Sequence, residues 1–267
     1  MIFTDDLVFL HPPKTAGMST TNYLLNVLPG PIYLSQPIHE QGMPDKVVQV
    51  PGKRHETLAE AREILARCGR DLNQVPIILS TLRNPYDLEV SRWAYLRQRY
   101  PWERGPEQDL ACDTTFEEFA LLNQQRGGSW ATDAFAYLGV NTISGNPGGR
   151  PYPNELKDFF TVDGQVPRNL RVIRFESIVS DLRHALQSLG HAGQGDFPWV
   201  NRSKRDSYPS YYTPAAEAAV FSRYRWAFDE GFYPRLDLTQ HAWSSSRDTA
   251  RPHAAPFPPE WSSQAWD

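Results

Sequence analysis

The stretch from Leu7 to Thr20 narrows the possible folds of this chain more than any other. Leu7, Val8, Phe9 and Leu10 form an unbroken apolar run, the pattern of a strand covered on both faces. Pro12 and Pro13 end that strand. Beyond Gly17, Ser19 and Thr20 read as helix-start residues, and Tyr23, Leu24, Val27 and Leu28 follow at helical spacing. A strand, a tight loop and a helix in this order bring backbone N–H groups, hydroxyls and Lys14 to a helix N-terminus. Unpaired donors, the positive end of the helix dipole and a mobile cation make an anion site. The order of residues is not that of a Walker A loop, in which the lysine follows the second glycine; here Lys14 precedes the loop's only glycine, Gly17.

A second strand–loop–helix unit begins at Val75. The strand over residues 75–82 has Ile77, Ile78 and Leu79 at its centre and runs into Arg83-Asn84-Pro85-Tyr86-Asp87. Pro85 suits the first turn of a helix, and Ser91 lies two turns along it. An arginine at a strand end and a serine on the following helix can share a phosphate, because a guanidinium fork donates paired hydrogen bonds that an ammonium cannot.

The Pro13-Lys14-Thr15-Ala16-Gly17-Met18-Ser19 loop resembles the 5′-phosphosulfate loop of sulfotransferases that use 3′-phosphoadenosine 5′-phosphosulfate. The match is closest to the carbohydrate-type branch, with its Pro-Lys-Thr-x-Gly-Thr-Ser pattern. Met18 departs from it, standing where a hydroxyl residue is usual. The run Arg83-x-Pro85 with Ser91 is similar to the 3′-phosphate site of the same family. The resemblance covers roughly residues 7–235, strongly at these two motifs and weakly between them. It implies a three-layer P-loop-like sulfotransferase fold with a central, mostly parallel sheet, as one domain over residues 1–240. It also implies the product nucleotide 3′-phosphoadenosine 5′-phosphate, no metal, and cofactor contacts from Lys14, Thr15, Ala16, Gly17, Met18, Ser19, Thr20, Arg83 and Ser91. A late loop closes over the nucleotide in family members, and Asn201-Arg202-Ser203-Lys204-Arg205 falls at the corresponding place, which adds Arg202, Ser203 and Lys204 to the expected contacts.

Composition agrees with a globular chain of 267 residues, long enough for one large α/β domain. The formal net charge of −4 argues against a nucleic-acid or polyanion binder. No apolar run reaches membrane-spanning length, and the N-terminus enters a strand without a signal-peptide pattern, so a cytoplasmic protein is expected. Cys68 and Cys112 are too few for a disulfide framework or a zinc site. Nothing in the chain specifies an oligomeric state.

The remaining segments read as follows. Residues 31–54 are irregular, with Val47-Val48 as a short strand. Thr57 and Glu60 form a capping box that opens a helix through Ala61, Ile64 and Leu65, ending near Gly69. Residues 99–113 read as a polar loop. Thr115 and Glu118 cap a helix through Phe119 and Leu122, and Trp130 to Leu138 reads as another. Ser144 to Pro153 is a Gly/Pro/Asn-rich loop. A strand over 170–175 precedes a helix over 178–189, and Thr213-Pro214 opens a last helix that runs to Gly231. Residues 241–267 form a Pro/Ser-rich tail. Three buried strands alternating with helices predict a parallel sheet with right-handed crossovers.

By this resemblance the reaction is sulfuryl transfer to a hydroxyl or amine of a small metabolite or short glycan. Lys14 neutralises the leaving nucleotide and a base takes the acceptor's proton. Four residues are candidates for the base: His55, His39, His11 and Glu176. His55 is preferred, because it precedes a capped helix whose positive end, with Lys53 and Arg54, keeps its ring neutral near pH 7. Trp93, Trp102 and Trp130 are candidates to line an acceptor site. Two rivals stand beside this reading. One is a P-loop-type kinase or NTPase, in which Thr15 imitates the magnesium-binding hydroxyl. The other is a non-catalytic, sulfotransferase-like nucleotide-binding protein.

Overall fold

The structure is a computed structural model that describes residues 1–35, 44–99, 106–125, 156–200 and 204–239. The expected helix Trp130–Leu138, the loop 144–153 and the tail beyond 240 lie outside the described residues. The elements run β1 (Ile2–Phe3), β2 (Leu7–Leu10), α1 (Gly17–Val27), β3 (Ile32–Leu34), β4 (Val47–Gln49), α2 (Leu58–Arg67), β5 (Ile77–Leu82) and α3 (Pro85–Arg99). They continue with α4 (Pro106–Asp113), α5 (Phe116–Gln125), β6 (Leu170–Arg174), α6 (Ile178–Ser188), α7 (Pro214–Arg223) and α8 (Arg225–Asp229).

Six strands form one mixed, mostly parallel sheet in the order β4-β3-β1-β2-β5-β6. The β2–β5 pair is parallel with Leu7 opposite Ile77, and β5–β6 is parallel with Ile78 opposite Leu170. The sheet is mostly parallel, as expected, and the exception is β1, which runs antiparallel to both β2 and β3. The turn between β1 and β2 is closed by Thr4, whose hydroxyl accepts from the Leu7 N–H at 3.1 Å. Strands of two and three residues leave no periodic signature, which is why β1 and β3 are silent in the sequence.

Side-chain alternation along the strands sorts the core into two halves. Leu7, Phe9, Ile77 and Leu79 pack with Tyr23 and Leu24 of α1 and Leu182 and Leu186 of α6. Val8, Leu10, Ile78 and Leu82 pack on the other face with Leu58 and Ile64 of α2, Leu88 of α3 and Val220 of α7. Helices thus cover both faces, and β2 is buried throughout. Among the described residues, no helix is long and apolar enough to cross a membrane.

Two further expectations are corrected. Part of the polar loop 99–113 is the helix α4, whose Leu110 and Ala111 pack against Leu96 and Phe119. The last helix breaks at Tyr224, with φ −107° and ψ 25°, giving α7 and α8. The reason is internal: Tyr224 is drawn into the core, where its hydroxyl donates to Glu89 Oε2 at 2.6 Å.

Glu89 is fully buried on α3 and also accepts from Asn123 of α5 at 3.1 Å, while Arg92 and Arg223 each approach Oε1 to 3.9 Å. Burial alone would raise its pKa, but Arg223 and Arg92 and the two hydrogen bonds outweigh burial and hold the carboxyl below its ordinary range. This one carboxylate joins α3, α5, α7 and the α7–α8 break. Glu89→Ala leaves buried guanidinium groups without it and should lower stability by about 3–5 kcal/mol, read as a shift in the urea midpoint.

Candidate functional site

The site lies at the C-terminal ends of β2 and β5, where open α/β sheets receive ligands. After Leu10 the chain turns through a loop in which Lys14 and Ala16 both hold left-handed backbone angles, with φ 61° and 62°. Two L-residues in that region mark a strained loop held in place by its surroundings. The hold is visible: the Thr15 hydroxyl donates to Pro12 O at 2.7 Å and lies 2.6 Å from Thr81 Oγ1 on β5. Thr15 has one proton, so Thr81 donates to it.

The helix α1 starts at Gly17, earlier than Ser19 and Thr20 suggested. Its N-cap, Ala16, has no side-chain oxygen, so no side chain of the N-cap serves the first-turn N–H groups. Ser19 and Thr20 sit inside the first turn, buried and turned toward protein. Ser19 Oγ accepts from the Val200 N–H at 3.0 Å, and Thr20 Oγ1 donates to Ala16 O at 3.2 Å. The loop therefore offers an anion its backbone donors and Lys14, while the hydroxyls of Thr15, Ser19 and Thr20 serve the fold. Met18 is partly exposed. Gly17 owes its place to contact, since a Cβ there would fall 1.6 Å from His11 Cδ2 and 1.9 Å from Nε2.

Arg83, 7% exposed, joins the two sequence motifs. Its Nη1 donates to Lys14 O at 2.8 Å and to Ser91 Oγ at 3.1 Å, its Nε donates to Asp87 at 2.7 Å, and its guanidinium lies 4.0 Å from the Phe175 ring centroid. Burial lowers its pKa, with Asp87 acting in the opposite direction. The other Asp87 oxygen takes Arg205 at 2.5 Å. Arg205 escaped the sequence reading, although its place in the basic run next to the expected Lys204 pointed near it. Lys204 itself is exposed, and Arg202 and Ser203 lie outside the described residues. The Lys14 ammonium sits 3.5 Å from the Tyr95 ring centroid, a contact with no signal in the sequence.

His55 is buried just before its helix. Its Nδ1 is 2.6 Å from His11 O; a carbonyl only accepts, so Nδ1 carries the proton and Nε2 is the basic nitrogen. The two imidazoles meet edge to face at 4.6 Å. Burial, foremost, pushes the His55 pKa down to about 3; the bond to His11 O opposes it, and Arg54 and Lys53 add to the lowering. The neutral ring expected from the sequence is thus present, but through desolvation more than through the helix end. The capping box of α2 is formed, with the Glu60 carboxylate accepting from the Thr57 N–H at 2.8 Å and Thr57 Oγ1 accepting from the Glu60 N–H at 3.3 Å. His11 is also driven well below the usual imidazole range, by burial first and then by His55, and its Nδ1 has no hydrogen-bond partner among the described residues.

Glu176 precedes α6 in a short 3₁₀ turn. Its oxygens accept from the Asn84 N–H at 3.0 Å and the Tyr233 hydroxyl at 2.8 Å, so it braces the residue after Arg83. His39, Trp102 and Trp130 lie outside the described residues, and Trp93 packs against Phe116 and Tyr211. Among the described residues no group of three or more His, Cys, Asp or Glu is arranged to hold a metal ion. Compared with protein-family models, with curated proteins and with solved structures, the chain gives no match.

Two outcomes follow from the buried imidazoles. His11 cannot give way easily to a methyl group at position 17, because His55 packs against it; Gly17→Ala should destabilise by about 3 kcal/mol in urea titrations, and by less than about 1 kcal/mol in a His11→Ala background. Both histidines bind protons more weakly folded than unfolded, so their contribution is complete above the unfolded pKa near 6.5 and is lost as pH falls toward the folded values. Stability should fall by about 2 kcal/mol between pH 7 and 5 through His55, with a further loss through His11. His55→Asn, which keeps a donor for His11 O, should remove the His55 part of that slope.

Proposed function

We propose that the chain is a sulfotransferase that moves a sulfuryl group from 3′-phosphoadenosine 5′-phosphosulfate to a hydroxyl or amine of a small metabolite or short glycan, within a P-loop-like sulfotransferase fold. The observation that carries this reading is the Arg83 bridge: one guanidinium touches both the Lys14 backbone and Ser91, so the two anion motifs converge on a single place. In this reading the loop N–H groups at the start of α1 bind the 5′-phosphosulfate and Lys14 neutralises charge on the leaving phosphate oxygen. Ser91 and the Arg83 edge face the 3′-phosphate. The sulfur–oxygen bond to the nucleotide breaks as the bond to the acceptor forms, and the acceptor's proton passes to a base. His55 Nε2 is that base. Its low pKa in the unliganded protein rises when a polyanionic nucleotide occupies the adjoining loop, because nearby negative charge favours imidazolium.

The kinase or NTPase alternative is weakened by Thr15, whose hydroxyl is fully buried and committed to Pro12 and Thr81, and by the arginine that stands at the end of β5. A non-catalytic nucleotide-binding protein has one observation in its favour, the engagement of Arg83 with Lys14 O, Ser91 and Asp87.

Isothermal titration with 3′-phosphoadenosine 5′-phosphate, adenosine 5′-phosphate and ATP separates these readings. The bisphosphate should bind at least tenfold more tightly than either of the others, since each charge-assisted contact contributes about 1.5–3 kcal/mol. Arg83→Lys, which keeps charge but loses the fork, should erase most of that preference. Tighter binding of ATP overturns the sulfotransferase reading. Preference for the bisphosphate without sulfuryl transfer across an acceptor panel supports the non-catalytic one.

A further inference from the structure

The cations beside His55 are not equally provided for. Lys53 reaches the Glu60 carboxylate at 2.6 Å. Glu56 accepts from the Lys53 N–H at 2.6 Å and from the Met1 amino group at 2.9 Å. At the neighbouring anion motif, Arg83 and Arg205 share Asp87. Arg54, half-buried between Lys53 and His55, has neither an ion pair nor a hydrogen bond among the described residues, and its Nε is shut off from solvent. His55 also meets the ring of His11 at 4.6 Å, and His11 is 4% exposed with its Nδ1 unpartnered among the described residues. The Arg54 charge reaches both imidazoles and lowers the pKa of each, although burial does more. Two buried nitrogens next to one histidine, one of them a charged donor, are costly to leave unbonded, and an anion that accepts from them removes that cost.

We propose that Arg54 binds a carboxylate of the acceptor, which makes the substrate class a hydroxyl compound carrying one carboxylate, such as a hydroxy acid or a short glycan ending in a uronic acid. That the ligand is the acceptor rests on the sulfotransferase reading; that Arg54 lacks an anion does not. The Nε edge of a guanidinium and one of its Nη groups form a planar fork, and its two N–H groups match the two oxygens of a carboxylate. Arg54 directly precedes His55, with consecutive Cα atoms about 3.8 Å apart, so an acceptor fixed on that fork stands beside the proposed base. In the same reading the donor's phosphates are served by the Lys14 loop, Arg83 and Ser91, which leaves Arg54 for the other substrate. One guanidinium balances one charge. A polysulfated chain would leave most of its charge unbalanced on a protein of net charge −4. A neutral acceptor would leave the buried Nε without a partner, and sites of this kind reject the analogue that lacks the polar group.

The test uses the full chain labelled with nitrogen-15 in arginine, with the Arg54 Nε–H signal identified by its loss in Arg54→Gln. The protein is first saturated with 3′-phosphoadenosine 5′-phosphate and then titrated with glycolate, methyl glucuronide, methyl glucoside and inorganic phosphate. Glycolate and methyl glucuronide should move the Arg54 signal and slow its exchange with solvent, and methyl glucoside should leave it in place. Arg54→Gln should weaken methyl glucuronide binding at least tenfold, and Arg54→Lys, which keeps the charge without the fork, should recover only part of it. A signal indifferent to both carboxylates overturns the proposal. So does a larger response to inorganic phosphate than to either carboxylate, which would assign Arg54 to the nucleotide, and so does equal binding of the glucuronide and the glucoside. A protein that does not bind the bisphosphate overturns the sulfotransferase reading instead. The same titration without nucleotide then still decides whether Arg54 is a carboxylate site.

Discussion

The site depends on one guanidinium. Arg83 stands at the end of β5 and ties the carbonyl of a left-handed lysine to two neighbours on one face of α3, the Asp87 carboxylate and the Ser91 hydroxyl. Its planar fork holds them in fixed directions, which an ammonium on a flexible stem does not do. The half-buried ring of Phe175 covers one face of the guanidinium, 4.0 Å from its centroid. Strain in the loop persists because this arrangement over-determines it.

Around that centre the fold repeats one device, in which a polar side chain at a strand end ties together elements distant in sequence. Thr15 and Thr81 join the ends of β2 and β5. Glu176, after β6, takes the Asn84 N–H and the Tyr233 hydroxyl. Asp87 receives Arg205 on its second oxygen, and Ser19 receives the Val200 N–H, so the chain near residue 200 is attached to α1 and α3 together. Most of these groups are buried or nearly so, and each has its hydrogen-bond partner. That is the condition under which buried polar groups define a geometry without penalising the fold.

The parts of this arrangement that were legible in the sequence share a property: they are local and periodic, or they pair a residue type with a short spacing. Leu7–Leu10 and Ile77–Leu82 read as buried strands because every residue is apolar or small, and the α2 capping box was readable from Thr57 and Glu60 alone. The juxtaposition of Lys14, Arg83 and Ser91 was implied by two strand–loop–helix units in one parallel sheet. What could not be read depends on contacts across the chain. The burial of His55 arises from its packing on His11, forty-four positions away, and nothing beside it in the sequence signals that. Tyr95 belongs to an ordinary-looking stretch of helix until the fold carries it to the loop, and the pairing of Arg205 with Asp87, although Arg205 lies in a recognisable basic run, is likewise made only by the fold. The break at Tyr224 is set by a carboxylate on another helix.

The loop also shows how a motif can owe its letters to two different masters. Position 16 is left-handed, and position 17 faces an imidazole at less than contact distance from any added carbon. Glycine at 17 is therefore demanded by packing before any ligand is considered. A chain that had lost every use for an anion would still keep Gly17 here while His11 remained. Relatives in which a larger residue appears at 17 should carry a smaller one at 11. Covariation of that pair would report on the persistence of the fold, whereas the side chain at 14 would report on the persistence of the chemistry.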